Sequence, residues 1–179
     1  MYATAEDMRA AAWTAMGRGV ADRRHPARHP TLATTGVDGP TARTVVLRGW
    51  DDRQAEFHTD TASAKIRDLK ADPRAALHVW IPKQMLQIRL TGLVSQTIGD
   101  GDAWARVPET AQRVYGGTPP PGAPMASDRE HDPSPDPARF CVLRLSVHRA
   151  DLLLLGSERH QRVVATRSGD GWQSGWVAP

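Results

Sequence analysis

The chain has 179 residues, with 23 lysines and arginines against 20 aspartates and glutamates, which gives a formal net charge of +3. This length fits one domain that can bury a core without a metal or disulfides. Basic and acidic residues are interspersed, which excludes the continuous basic stripe of a nucleic-acid-binding surface, and the single cysteine, Cys141, excludes an intramolecular disulfide and a thiolate metal cluster. We therefore predict one domain over residues 1–179, with no nucleic-acid partner and no metal site.

The first 20 residues predict an amphipathic lead-in helix. Thr4 and Asp7 have the spacing of a capping box, and apolar residues recur at helical spacing as far as Val20. The amino end lacks the charged-then-apolar pattern of a signal peptide, and no apolar run is long enough to span a membrane. We expect a cytoplasmic protein with no membrane partner.

From residue 31 onward the sequence predicts mainly short strands. β-Branched and alternating apolar residues, separated by Gly, Pro and Asp turns, predict strands over 31–35, 41–50, 55–60, 74–81, 85–97, 139–155, 159–167 and 172–177. A helix is predicted from Ser63 to Lys70, and another over Asp100 to Tyr115, where Pro108 requires a start or a kink. Gly92 favours a β-bulge in its strand.

Residues 116–138 hold half of the chain's 14 prolines and predict a long irregular loop. Many antiparallel strands, few helices and no βαβ alternation together predict a mainly β fold, a barrel with peripheral helices. Trp50, Trp80, Trp172 and Trp176 are predicted to make barrel or dimer contacts rather than to stack on a ligand. Cys141, within an apolar run, is predicted to be a small buried residue.

The segment over residues 41–65 has the features of an anion-binding site. Its predicted strand carries Arg43, and the helix that follows begins with a hydroxyl at Ser63 and an ammonium at Lys65. We expect Thr61 to cap this helix, whose free N–H groups and dipole favour a phosphate, while a guanidinium can add a bidentate contact. The alternative is that Thr61 only caps a surface helix and that Lys65 is solvated.

Arg48 lies five residues after Arg43 in the same predicted strand. Strict alternation sends these two side chains to opposite faces, so both can serve one ligand only through a β-bulge, a strong twist or the strand edge. No nucleophile or general base stands out. The best titratable candidate is His160, beside Arg159, and its alternative is a solvated histidine at a strand end.

Several short motifs occur in an order that resembles the pyridoxamine 5′-phosphate oxidase family. They are Arg43-Thr-Val-Val-Leu-Arg48, Phe57-His-Thr59, Ser63-Ala-Lys65, Gln87 before an apolar strand, and Ser157-Glu-Arg159-His-Gln-Arg162 followed by Trp172 and Val177-Ala-Pro179. Each string is short, so the ordered set carries the resemblance. It implies a six- to eight-stranded antiparallel split β-barrel that binds flavin mononucleotide (FMN) and forms a homodimer with FMN at the subunit interface.

The resemblance also implies roles for single residues. The positions that match the family's cofactor-binding residues are Arg43, Thr44, Val45, Val46, Leu47, Arg48, His58, Thr59, Ser63, Lys65, Gln87 and Arg162. Among them, Arg43 and Lys65 are expected to hold the flavin phosphate, residues 44–47 to run along the isoalloxazine ring, and Arg162 to reach the flavin from the partner subunit. The candidates for a catalytic role are Arg48, Arg159 and His160.

The sequence departs from the family at several positions that matter for the reaction. Ala64 stands where the family has a second basic residue, Leu153 stands where an aromatic residue packs beside the ring, and the motif before Arg162 is one residue shorter. The Tyr/Arg/Ser set that grips the substrate phosphate in the oxidases has no clear counterpart over residues 104–127.

These features predict an FMN-dependent oxidoreductase that acts on a small-molecule amine or alcohol, with the substrate left open. True pyridoxamine-phosphate oxidase activity is doubtful on this sequence. One alternative is a flavin-binding or sensor protein without turnover. Another is a split barrel that uses a different cofactor, a deazaflavin or haem.

Overall fold

The computed structural model describes every residue from Met1 to Pro179. The strands are β1 (Thr31–Gly36), β2 (Gly39–Thr44), β3 (Leu47–Trp50), β4 (Gln54–Asp60), β5 (Arg74–Ile81), β6 (Leu86–Ile98), β7 (Phe140–Leu154), β8 (Gln161–Ser168) and β9 (Gly171–Val177). The helices are α1 (Ala5–Ala21), α2 (Ala64–Ala71), α3 (Gly101–Ala105) and α4 (Glu109–Gln112). The mainly β character predicted from the sequence is confirmed.

Helix α1 begins where its capping box predicts. The Thr4 side chain accepts the N–H of Asp7 at 3.1 Å, and the Asp7 carboxylate accepts the N–H of Thr4 at 3.0 Å. The buried face of the helix, which includes Met8 and Met16, packs against β3, β8 and β9. None of the helices is both long and apolar enough to cross a membrane.

Contacts between tryptophan rings pack α1 against the sheet. The ring of Trp13 meets those of Trp50 and Trp172 edge to face, at centroid distances of 5.4 and 5.2 Å. The packing predicted for Trp50 and Trp172 is therefore confirmed. Trp80 is half-buried, and Trp176 is 46% exposed and does not pack into the barrel.

All nine strands form one antiparallel sheet in the order β2-β1-β5-β6-β7-β4-β3, with β8 beside β7 and β9 beside β8. Strand β7 is 15 residues long and joins the parts of this sheet. It pairs with β6 along most of its length, while its first half also pairs with β4 and its second half with β8. This shared strand gives the barrel its split form.

The strand predicted over residues 41–50 is in fact two strands, which brings the total to nine rather than eight. β2 and β3 follow each other in the chain but stand at opposite ends of the strand order. The chain therefore leaves one edge of the curled sheet at Thr44 and enters the other edge at Leu47. Between them the N–H of Val45 donates to the carbonyl of Pro30 at 2.9 Å, which extends the β1–β2 pairing by one residue before the chain crosses to β3.

The remaining strand predictions hold to within a few residues. The register of β6 against β7 shifts between Thr91 and Gly92, which confirms the predicted bulge. A Cβ at Gly92 would overlap the carbonyl oxygen of Ser146, so the bulge requires glycine. Cys141 is fully buried and unpaired, as predicted.

The helix predicted from Asp100 to Tyr115 is two short helices, α3 and α4, because Pro108 interrupts the hydrogen-bond ladder and becomes the N-cap of α4. This region builds a second apolar cluster of five buried residues, Ala103, Val107, Tyr115, Phe140 and Val142. The Trp104 ring joins it, 5.2 Å from the ring of Phe140. The cluster lies beside the main core of 31 buried residues.

Residues 116–138 contain no helix or strand beyond single 3-10 turns, as predicted. Both ends of this loop are nevertheless anchored on Asp60, a carboxylate that is only 4% exposed. Asp60 accepts the N–H of Gly116 at 2.8 Å and pairs with the guanidinium of Arg139 at 2.8 Å. A bridge between Thr118 and Asp132 closes the loop further.

Candidate functional site

Arg43 is directed to the inner side of the sheet, since its partner across the β1–β2 ladder, Leu32, is fully buried. Its Nη1 donates to Thr34 Oγ1 at 2.6 Å, and its Nη2 donates to Thr41 Oγ1 at 2.6 Å. Nη2 also pairs with Asp68 Oδ2 of helix α2 at 3.3 Å. Both threonine hydroxyls reach the same aspartate oxygen, at 2.9 and 3.2 Å, so the guanidinium is held on several sides.

Lys65 places a second cation near Arg43, in the first turn of α2. Its Nζ donates to Thr59 Oγ1 at 3.0 Å, and that hydroxyl lies 3.0 Å from Ser63 Oγ. No carboxylate forms an ion pair with Lys65. Burial lowers the pKa of the Lys65 ammonium and the charge of Arg43 lowers it further, while two nearby aspartates oppose the shift. Two cations and two hydroxyls, those of Arg43, Lys65, Thr59 and Ser63, thus lie near one another, and this group is here called the anion seat.

The N-cap of α2 is Ser63, so the prediction that Thr61 caps this helix is wrong. The N–H of Thr61 instead donates to the carbonyl of Arg139 at 2.8 Å, which keeps Thr61 in the connection before the helix. The hydroxyl of Ser63 is turned toward Thr59 and makes no capping bond. No side chain therefore caps the start of the helix. The N–H of Ile66 donates to the carbonyl of Ser63 at 3.0 Å, which leaves the N–H groups of Ala64 and Lys65 available to an anion.

Arg48 lies in a different environment from Arg43. Burial raises the pKa of Tyr115, and the adjacent Arg48 cation opposes part of that rise. The Arg48 cation also helps to lower the pKa of His58, although burial is the larger cause. The backbone between the two arginines is irregular, with a break between β2 and β3 and a register shift after Leu47, but the two guanidinium groups have different neighbours.

His58 is neutral at pH 7, because burial lowers its pKa more than its hydrogen bond to Glu56 raises it. Its Nε2 lies 3.2 Å from Glu56 Oε1, and since a carboxylate only accepts, Nε2 carries the proton. Its Nδ1 and the Nε of Arg48 are both buried without a hydrogen-bond partner. The imidazole packs edge to face on Phe140 of the second apolar cluster, with the ring centroids 4.9 Å apart.

Gln87, Leu153 and Arg162 lie side by side on the outward face of β6, β7 and β8, because the register pairs Gln87 with Leu153 and Leu153 with Arg162. Arg162 donates from Nε and Nη2 to the two carboxylate oxygens of Asp151, at 3.0 and 2.8 Å. Arg89 Nη2 donates to the same carboxylate at 2.6 Å. No hydrogen bond joins this outward row to the anion seat.

Arg159 and His160 are exposed and line a pocket of about 310 Å³ together with Arg162 and Tyr2. The side-chain amide of Gln161 donates to the Tyr2 carbonyl and accepts the Tyr2 N–H, both at 2.9 Å, and so fixes the amino end beside this pocket. Two candidate catalytic residues and one candidate cofactor residue therefore meet at one pocket.

The segment matched to the isoalloxazine ring, residues 44–47, presents few side chains to a ligand. Leu47 is fully buried and Val45 is 9% exposed, and both belong to the main core. Thr44 is exposed and Val46 is half-buried. A ligand at this segment would meet mainly backbone, Thr44 and Val46.

The structure thus divides the predicted site residues into separate groups. The anion seat unites Arg43, Thr59, Ser63 and Lys65, a second group contains Arg48 and His58, and the outward row contains Gln87 and Arg162. Sequence reasoning missed Thr34, Thr41, Asp68 and Asp151. Asp68 could have been found, since it lies three residues after Lys65 and so shares its face of α2.

Comparison with known proteins identifies the family of this chain. The model of the pyridoxamine 5′-phosphate oxidase FMN-binding domain matches residues 10–97. A pyridoxine/pyridoxamine 5′-phosphate oxidase of Anaeromyxobacter dehalogenans (strain 2CP-C) is 31% identical over 181 residues, covering 92% of this chain and 91% of the relative. The chain therefore belongs to the pyridoxamine 5′-phosphate oxidase-like family, and the resemblance recognised in its sequence is confirmed.

Solved structures agree with this assignment. The pyridoxamine 5′-phosphate oxidase-related, FMN binding protein from Nostoc punctiforme PCC 73102 superposes with a TM-score of 0.78 at 30% identity, over 96% of each chain. PhzG from Burkholderia lata 383, crystallised with tetrahydrophenazine-1-carboxylic acid, superposes with a TM-score of 0.76, over 100% of this chain and 98% of PhzG. Its identity is 22%, so this second likeness shows the shared fold alone.

Proposed function

We propose that this protein binds FMN and that the anion seat holds the flavin phosphate. The observation that carries the proposal is Lys65, a half-buried ammonium without a carboxylate partner beside the guanidinium of Arg43. A phosphate would offset the repulsion between these two cations and accept hydrogen bonds from Thr59, Ser63 and the start of α2. The donor set of two cations, two hydroxyls and free helix N–H groups fits a phosphate monoester.

We further propose that FMN is shared between two copies of the chain in a homodimer. Gln87 and Arg162 lie on the outward face of the sheet, while the anion seat lies on its inner side at α2. A second copy that packs its outward face against the first would bring both sets of residues to one flavin. This arrangement uses every group of predicted cofactor residues, which one chain alone does not bring together.

The bound flavin would supply two-electron oxidation and reduction, and the protein would bind and orient the reactants. We propose an oxidoreductase that acts on a small-molecule amine or alcohol, with Arg48, Arg159 and His160 around the substrate. The Tyr/Arg/Ser set that grips the substrate phosphate in the oxidases has no clear counterpart over residues 104–127 of this chain. Pyridoxamine 5′-phosphate itself is therefore not the substrate we propose.

The test of cofactor binding is a titration of the purified protein with FMN, followed by flavin fluorescence and by the visible spectrum. Lys65→Ala should weaken FMN binding by about 10- to 100-fold, because it removes one charge-assisted hydrogen bond to the phosphate. Lys70→Ala is the matched control, since this exposed lysine lies in the last turn of the same helix and should leave the affinity unchanged. Equal affinities of Lys65→Ala and the wild type would contradict the assignment of the seat.

A second candidate function is a flavin-binding protein without turnover. It is favoured by the position of His58, whose free Nδ1 is buried and offers no accessible base beside Arg48. Peroxide release during incubation of the FMN-loaded protein with a panel of amines and alcohols, pyridoxamine 5′-phosphate included, separates the two functions. Sustained release supports the oxidoreductase, and its absence with every compound supports the carrier.

A further inference from the structure

Asp151 is a buried carboxylate shared by two arginines from different strands. It lies on β7 with its side chain 11% exposed, directly opposite Arg89 of β6 and diagonal to Arg162 of β8. Arg89 Nη2 lies 2.6 Å from Oδ2, while Arg162 reaches Oδ1 through Nε at 3.0 Å and Oδ2 through Nη2 at 2.8 Å. The nearby arginine charges and hydrogen bonds hold the pKa of Asp151 below its usual range, so the carboxylate is ionised at neutral pH.

The bidentate contact fixes the whole side chain of Arg162. An arginine on a surface strand samples many rotamers, and a two-point contact with a carboxylate selects one of them. Because Nε and Nη2 are both engaged by Asp151, Nη1 is the guanidinium nitrogen left without a partner. Arg162 also lines the pocket that contains Arg159 and His160, so fixing its guanidinium fixes one of the cationic groups of that pocket.

We propose that Asp151 is a positioning residue, which holds Arg162 in the orientation that contacts the flavin of the neighbouring copy. The inference rests on the proposed FMN site shared by two protomers. Asp151 neutralises much of the charge of Arg162, so Arg162 acts there as a directed hydrogen-bond donor. Arg89 supplies the second cation that keeps the carboxylate ionised and in place, and it shares a separate pocket of about 290 Å³ with Asp151.

The test compares FMN dissociation constants of four proteins: the wild type, Asp151→Asn, Arg162→Ala and the double variant. Asp151→Asn keeps the shape of the side chain but cannot accept both guanidinium forks, so FMN should bind about 10-fold more weakly. Arg162→Ala should weaken binding by a similar factor. If Asp151 acts through Arg162, the double variant should bind no more weakly than Arg162→Ala.

The matched control is Asp72→Asn, which breaks the ion pair of Asp72 with Arg74, 2.7 Å long and at the surface. This variant should bind FMN like the wild type. Circular dichroism and thermal unfolding establish that each variant is folded. If Asp151→Asn alone lowers the folded fraction, the variant Asp151→Asn/Arg89→Gln takes its place in the comparison. The added Arg89→Gln change removes the cation that would otherwise be left without a carboxylate.

The outcomes distinguish the positioning role of Asp151 from the proposed binding of FMN. A wild type that does not bind FMN overturns both. If the wild type binds FMN and Lys65→Ala weakens it, but Asp151→Asn binds like the wild type, the positioning role alone is wrong. Additive losses in the double variant would also overturn it, because Asp151 would then act independently of Arg162.

Discussion

The cations of the candidate site differ in how their charge is balanced. Arg43 pairs with Asp68 and Arg162 pairs with Asp151, while Lys65 pairs with no carboxylate. The two arginines are therefore held as oriented donors whose charge is partly neutralised. Lys65 is the charge that an incoming phosphate would meet, which is why its removal is the sharpest test of the seat.

His58 makes folding stability depend on pH. Burial lowers its pKa below the value of about 6.5 for an unfolded chain, so the unfolded state binds the proton first as the pH falls. The stabilisation is fully present above pH 6.5 and is lost below it. Between pH 7.5 and 5.5 the wild type should therefore lose more unfolding free energy than His58→Phe, which keeps an aromatic ring against Phe140 but does not titrate.

Urea unfolding at the two pH values measures this difference. His148→Gln is the matched control, because His148 is exposed on β7 and its replacement should leave the wild-type pH dependence in place. Identical losses in the wild type and in His58→Phe would show that His58 is not the group responsible.

At the residue scale, the sequence predicted what lies close together along the chain. Thr59, Ser63 and Lys65 span one strand end and one helix start, and the structure brings them together with Arg43. The partners of Arg162 could not be predicted in the same way. Asp151 is 11 residues from Arg162 and 62 from Arg89, and only the register of three strands makes them neighbours.

At the scale of elements, α1 contains one glycine that is packed tightly against a neighbouring turn and one that has free space around it. A Cβ at Gly19 would lie 2.6 Å from the backbone carbon of Ala27, whereas a Cβ at Gly17 would meet nothing within 4 Å. Gly19→Ala should therefore destabilise the protein by about 1–3 kcal/mol through overpacking. Gly17→Ala should stabilise it by about 0.5–1 kcal/mol, since alanine loses less backbone entropy in a helix.

Thermal and urea unfolding of the two variants provide the comparison within one helix. A stabilised Gly19→Ala would mean that the turn over Pro26–Arg28 does not press on α1 as closely as described. Loss of stability in Gly17→Ala would point to a contact on the solvent side of the helix.

Strand positions were predicted from alternation and turn residues, and they hold to within a few residues. The split of residues 41–50 could not be predicted, because nothing in the local pattern marks where a curled sheet brings its two edges together. Helix α2 was found, but its cap was placed at Thr61 rather than Ser63. A local propensity for capping did not account for the hydrogen bond that draws Thr61 to Arg139.

At the scale of the whole molecule, Asp60 ties both ends of the loop over residues 116–138 to the end of β4. A protease site inserted after the exposed Gly122 should therefore be cut without loss of the fold. The two fragments should elute together in native buffer. Their stability should become concentration-dependent, because the cut turns folding into an association.

Size-exclusion chromatography and circular dichroism before and after cleavage measure this outcome. Adding Asp60→Asn to the cleavable protein should promote separation, since it breaks a buried ion pair at the anchor. Fragments that separate in native buffer without that change would show that the loop itself holds the barrel together.

The position of β7 has a consequence for synthesis on the ribosome. Before β7 emerges, the chain can form only two separate parts of the sheet: β2, β1, β5 and β6 in one, and β3 with β4 in the other. Until then β4 and β6 keep open edges that can pair with other chains. The nascent protein therefore completes its barrel only when the strands from β7 to β9, residues 140–177, are translated. A translational pause before β7 would most expose the chain to aggregation.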